Sequence, residues 1–249
     1  MKAALDISEL FVARGGSRVI RNVSLTFGRG AWTGLIGANG SGKTSLLRAI
    51  SGRLPLTGGS VEIAGTDLTN ARSRRAAAIG FAPPPEALPL TLNVREVLAL
   101  VGQDIDAALA NTADIGVALN VKGLLTKQVG ACSAGMKQRV AIACAFAAGR
   151  DIVILDEPFN WLDPVAAYDL KQLLRARVDD CLTLITALHD LSSFTRLCDA
   201  GAIMVDGQVA IELDRQQLQS AEIDFVGFER RMIDLLRASK GSVSPNDSN

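Results

Sequence analysis

Eight consecutive residues, Gly37-Ala38-Asn39-Gly40-Ser41-Gly42-Lys43-Thr44, follow the spacing G-x-x-x-x-G-K-[ST]. The glycines let successive backbone amides turn inward. A helix starting there adds its unpaired amides and the positive end of its dipole, and the combination binds phosphate. In such a nest Lys43 is suited to the β- and γ-phosphates of a nucleoside triphosphate and Thr44 to a magnesium ion, with Ser45 next along the helix. Chance matching is the bland alternative. Against it, an apolar strand-like run at 32–36 precedes the motif and a helical run at 45–51 follows, which is the context the chemistry requires.

A second candidate lies at Asp156-Glu157, which closes the apolar run 152–155. An acid at the end of a buried strand can hold the shell of a magnesium ion, and the next acid can polarise a water. Alone, the pair would read as solvated strand-end acids; after a phosphate loop it reads as part of a nucleotide site. Between the two stands Cys132-Ser133-Ala134-Gly135-Met136-Lys137-Gln138-Arg139, directly before a helical run, where amides and dipole again suit an anion. His189, the only histidine, follows the apolar run 184–188. A lone histidine is more often structural than catalytic.

These residues need a scaffold, and the pattern supplies one. Residues 5–12 and 19–27 read as strands with Gly15-Gly16 between them, an early antiparallel hairpin. Further strands are expected at 60–64 and 78–82, before Pro83-Pro84-Pro85, which continues neither a helix nor a paired strand. Helical patterning over 92–101 and 104–119 marks an inserted helical segment, about 84–138, and a helix continues over 140–148. The runs 152–155 and 182–188 have the unbroken apolar character of buried parallel strands. Asp206-Gly207 joins 202–205 to 208–211 as a hairpin, 214–240 has helical spacing, and 241–249 has the composition of a flexible tail.

Composition narrows the setting. With 26 basic and 26 acidic side chains the formal net charge is zero, which removes the global attraction expected of a nucleic-acid binder. Cys132, Cys144, Cys181 and Cys198 have neither metal-ligand nor redox spacing and read as small buried hydrophobes of an intracellular protein. Asp6 interrupts any signal-peptide core and no later run is long enough to span a bilayer, so the chain is expected to be soluble.

In this order and spacing the motifs resemble those of the ATP-binding cassette (ABC) family, over roughly residues 5–211. Cys132 to Gly135 is similar to that family's L-S-G-G-Q signature, matching at Ser133 and Gly135. Asn160-Trp161-Leu162-Asp163 resembles its loop that contacts the opposite subunit, and His189 its switch histidine. The resemblance implies an α/β fold: a P-loop NTPase core with an N-terminal antiparallel β subdomain and an inserted α-helical subdomain. The cassette would span 1–213, with a helical extension over 214–240. It implies ATP and Mg²⁺ as cofactors. Residues 37–45, Arg14, Ser133, Ala134, Gly135 and Asp163 would hold nucleotide, Thr44 and Asp156 the metal, and Glu157 and His189 would act on water. It also implies a pair of cassettes, as a homodimer or with a related subunit, driving a permease in a separate chain from the cytoplasmic face of the membrane.

Several positions depart from the family pattern. Pro84 stands where a glutamine usually helps ligate Mg²⁺, and proline has no side-chain carbonyl; Glu86 is the nearby substitute, or a solvated loop acid. Ala134 replaces a signature glycine. Arg14 occupies the place of an aromatic residue that stacks on adenine, which a planar guanidinium can also do. Trp161 replaces a small residue, either anchoring a second subunit or burying itself in its own. Residues 187–191, Cys198-Asp199 and 95–100 resemble importers of iron chelates and vitamins; 135–139 and 156–160 resemble exporters, and export is the expectation. The alternative is a weakly hydrolysing cassette that switches a complex without transport.

Overall fold

Alternation of apolar and polar side chains builds a long hairpin from β1 (Ala3–Arg14) and β2 (Ser17–Gly28). Gly15 and Gly16 turn it at φ of 57° and 83°, a region that favours glycine. This computed structural model describes residues 2–240; the tail expected over 241–249 lies outside them. β3 (Trp32–Ile36) is buried at every position and leads into α1 (Lys43–Ile50). β4 (Gly58–Ile63) and β5 (Thr66–Asp67) complete a four-stranded antiparallel sheet ordered β2-β1-β4-β5.

α2 (Arg72–Ala78) then feeds β6 (Ile79–Phe81), which ends before the three prolines; Pro85–Ala87 form one tight helical turn. α3 (Val94–Gly102) starts in a reciprocal cap between Asn93 and Glu96. The stretch 104–119, patterned as continuous helix, is two helices, α4 (Ile105–Asn111) and α5 (Ala113–Ala118). Thr112 makes the break: at φ −108° and ψ 13° it leaves helical geometry, and its hydroxyl donates back to Ala108 O. α6 (Ala134–Ala147) begins inside the stretch expected to close the helical insert and is buried on nearly all sides from Val140 onward.

β7 (Ile152–Asp156), α7 (Pro164–Asp179), β8 (Thr183–Leu188), α8 (Leu191–Leu197), β9 (Ala200–Val205) and β10 (Gln208–Leu213) return the chain to the core. The second sheet has the order β10-β9-β3-β8-β7-β6, parallel except for the β9–β10 hairpin. Its two faces divide the side chains. Ile152 and Ile154 of β7 pack with α1 and the antiparallel sheet, while Val153 and Leu155 pack with α6 and α7. α9 (Arg215–Ile223) and α10 (Phe225–Lys240) close the second of these cores through Leu218, Ala221, Phe228 and Met232.

Three cysteines are buried as expected, and burial pushes the Cys144 thiol up to about 12. Cys181 differs: it is exposed at φ 77° in the tight turn between α7 and β8. No helix among the described residues is long and apolar enough to cross a membrane.

Candidate functional site

Parallel pairing gathers the chemistry at one edge of the sheet. Ile36 pairs with Leu188 and Asp156 with Ala187, so the residues that follow β3, β7 and β8 all emerge at the strands' C-terminal ends, where open α/β sheets bind ligands. Those residues are the loop 37–44, Asp156-Glu157 and His189.

The loop is shaped by its glycines. A Cβ on Gly37 would lie 2.3 Å from Met204 O, and Gly42, at φ 102°, would meet Ile20 Cδ1 at 2.8 Å. Gly40 has open space around it, but its φ of 85° favours glycine. α1 then starts with no side-chain cap and no acid in its first turn, so its leading amides are left for a ligand. The Lys43 ammonium, almost buried, donates to Gly37 O at 2.7 Å and to Ala38 O at 3.4 Å. Burial pulls this amine below the usual lysine range, against the opposing pull of Glu157 and Asp156.

Asp156 faces the loop. Burial raises its carboxyl above the usual range, offset by a hydrogen bond from Thr44 and raised further by Glu157. Its Oδ1 is buried and makes no hydrogen bond among the described residues, an orphaned acceptor beside a hydroxyl. A magnesium ion would answer that need: Thr44 and Asp156 are oxygen donors of the kind it takes, and the ion would supply charge neutralisation for phosphates.

Glu157 is held in the left-handed region, φ 50°, with its N–H donating to Ala187 O at 3.1 Å. Its carboxylate accepts from Asn160 Nδ2 at 2.7 Å, and His189 Nδ1 stands 3.7 Å from its other oxygen. Glu157 and His189, read from the sequence as partners on water, are therefore neighbours.

Ser133 caps α6, accepting from Met136 N at 3.3 Å, and is exposed with Ala134. No hydrogen bond among the described residues links Ser133, Ala134 or Gly135 to the phosphate loop. Gly135 instead packs on Trp161, whose carbonyl oxygen would sit 2.7 Å from an added Cβ. Asp163 caps α7 through Ala166 N and pairs with Arg139 at 2.7 Å; the backbone bond from Ala166 keeps its carboxyl below the usual range. A cleft of about 530 Å³ connects these parts, running from Thr44 and Asp156 past Pro83–Glu86 to Ala134 and Trp161. Arg14 is exposed at the tip of the first hairpin, which abuts the loop through Val19 and Ile20.

Residues 20–160 match the ABC transporter family. The chain belongs to it. The ABC cassettes similar to this chain include the lipopolysaccharide export system ATP-binding protein of Escherichia coli K12, 30% identical over 216 residues, 83% of this chain and 89% of that one. The cobalamin import ATP-binding protein of Halobacterium salinarum is 31% identical over 218 residues, 82% of this chain but 54% of its own length. A solved ATP-binding subunit of an ABC transporter shares the fold at a TM-score of 0.81 and 24% identity, over 94% of this chain and 99% of that one. The ABC family's chemistry is ATP binding and hydrolysis.

The sequence did not single out two residues that shape this site. Gln138, inside the signature segment but buried, donates to Pro158 O at 3.1 Å and Glu157 O at 3.4 Å. Flanked by Lys137 and Arg139, it gives no sign in the sequence that it alone of the three is buried. Asn160 lay in a recognised loop, yet spacing alone does not disclose its bond to Glu157.

Proposed function

We propose that this cassette hydrolyses ATP as one of a pair and drives a permease carried on a separate chain, at the cytoplasmic face of a membrane. The observation that carries the reading is the convergence of Lys43, Thr44, Asp156, Glu157 and His189 on one sheet edge, with Asp156 Oδ1 left without a partner. The loop amides and Lys43 bind and orient the phosphates. Thr44 and Asp156 would hold Mg²⁺, which would neutralise phosphate charge. Glu157 orients and polarises the attacking water, and His189 steadies it against the terminal phosphate. Arg14 stacks on the base.

Ser133, Ala134 and Gly135 serve the nucleotide of the opposite cassette, joined by Asp163. The exposure of Ser133 and Ala134, and the lack of any hydrogen bond among the described residues from this segment to the chain's own loop, support that division. The cassette occupies 1–213, with the helical insert over about 84–138 and the extension over 214–240. Export is the favoured direction, supported by the resemblance of residues 135–139 and 156–160 to exporters. With Pro84 in the glutamine position, turnover is slow. Steady-state ATP hydrolysis with Glu157→Gln tests the reading: turnover should fall at least ~100-fold with nucleotide affinity retained. Undiminished turnover in that variant would sink it.

A further inference from the structure

The Glu157 carboxylate is held on one side only. Asn160 Nδ2 donates to Oε2 at 2.7 Å, while Oε1 faces His189 at 3.7 Å. The surrounding loop has independent supports. Glu157 N–H reaches Ala187 O, buried Gln138 bridges the carbonyls of Glu157 and Pro158, and Asp163 is fixed by Arg139 and by capping α7. The backbone turn itself is closed by Asn160 N–H on Glu157 O at 3.3 Å. None of these supports uses the Asn160 side chain, whose hydrogen bond is to the carboxylate.

We propose that Asn160 is a positioning residue for hydrolysis, locking the Glu157 side chain so that Oε1 alone is presented to water. This rests on the reading of Glu157 as the water-orienting acid. A glutamate has three rotatable bonds, and a carboxylate one-third exposed would otherwise be shared among several rotamers. A charge-assisted hydrogen bond is strong enough to favour one of them about tenfold or more. An amide suits the task because it donates without adding charge. Lysine there would neutralise the acid, and aspartate would repel it.

The test is steady-state ATP hydrolysis by the full chain carrying Asn160→Ala, Asn160→Asp or Glu157→Gln, or Glu157→Gln with Asn160→Ala. Asn160→Ala should lower kcat about tenfold with KM for ATP unchanged, since only the reacting acid is released. Asn160→Asp keeps the shape of the side chain but has no N–H and repels Glu157, so kcat should fall about another tenfold. In the Glu157→Gln background, Asn160→Ala should add nothing. A residue that merely fills space gives the reverse order, aspartate tolerated better than alanine, and an additive loss in the double variant; either result overturns the proposal while leaving Glu157 its role. Wild-type turnover in Glu157→Gln removes the role and the proposal together.

Discussion

Two helix N-termini in this chain offer amides to an anion, and they are finished in opposite ways. At α1 the cap is a glycine with no side chain to spend on the amides. A nearly buried lysine hangs over them, and a carboxylate oxygen without a partner waits alongside. At α6 Ser133 caps the amides itself, Ser133 and Ala134 are exposed, and the supporting contacts run backward to Trp161 and the loop 157–163. The first end carries, in the proposed reading, what a cassette needs to hold a nucleotide. The second, stiffened from behind, is in the same reading the surface that completes another cassette's site.

If the open end meets a second cassette, the exposed apolar residues beside it should matter most. Trp161 is 73% exposed, and Val165 and Tyr168 follow it on the outer side of α7 at 69% and 62%. Trp161→Ala should weaken ATP-dependent self-association about 30-fold, on the order of 2 kcal/mol for a central interface tryptophan, and leave nucleotide binding by the single chain intact. Sedimentation against protein concentration measures it. The other tryptophan, Trp32, is fully buried, so the variant also removes the exposed contribution to emission.

A smaller effect sharpens the closed end. Burial holds the Asp156 carboxyl above its ordinary 3.8, so the folded protein binds that proton more tightly than the unfolded chain does. Stability from this group is therefore greatest below 3.8 and declines as pH rises through the folded-state value. Asp156→Asn escapes the decline. Thermal melting without nucleotide should show no advantage for the variant in acid and a higher melting temperature than the parent near neutrality. Magnesium dependence of nucleotide binding should disappear in the same variant.

The closed end was legible in the sequence because its determinants are local. A glycine pattern, a preceding apolar strand and a following helix are contiguous, and the paired Gly15-Gly16 and Asp206-Gly207 turns fixed the flanking hairpins. The long helix α7 was signalled as well, by Asp163 as cap and Pro164 at the first helical position, although no periodic reading had claimed it. Contacts between segments left no such trace. Nothing in the spacing of Asn160, Gln138 and Gly135 discloses that one ties a carboxylate, another bridges two carbonyls and the third makes room for Trp161 O. The interruption at Thr112 was equally hidden, since a hydroxyl bonding back to Ala108 O competes with a pattern that is otherwise helical.

The central claim is that each catalytic site takes its phosphate loop from one cassette and its signature from another. Mixing two inactive variants tests it directly: Lys43→Ala, which disables the loop, and Ser133→Arg, which blocks the signature with a bulky cation. Half of randomly assembled pairs are mixed and each mixed pair keeps one intact site, so the mixture should recover about a quarter of wild-type ATP hydrolysis. A mixture no more active than the average of the two variants would contradict the account.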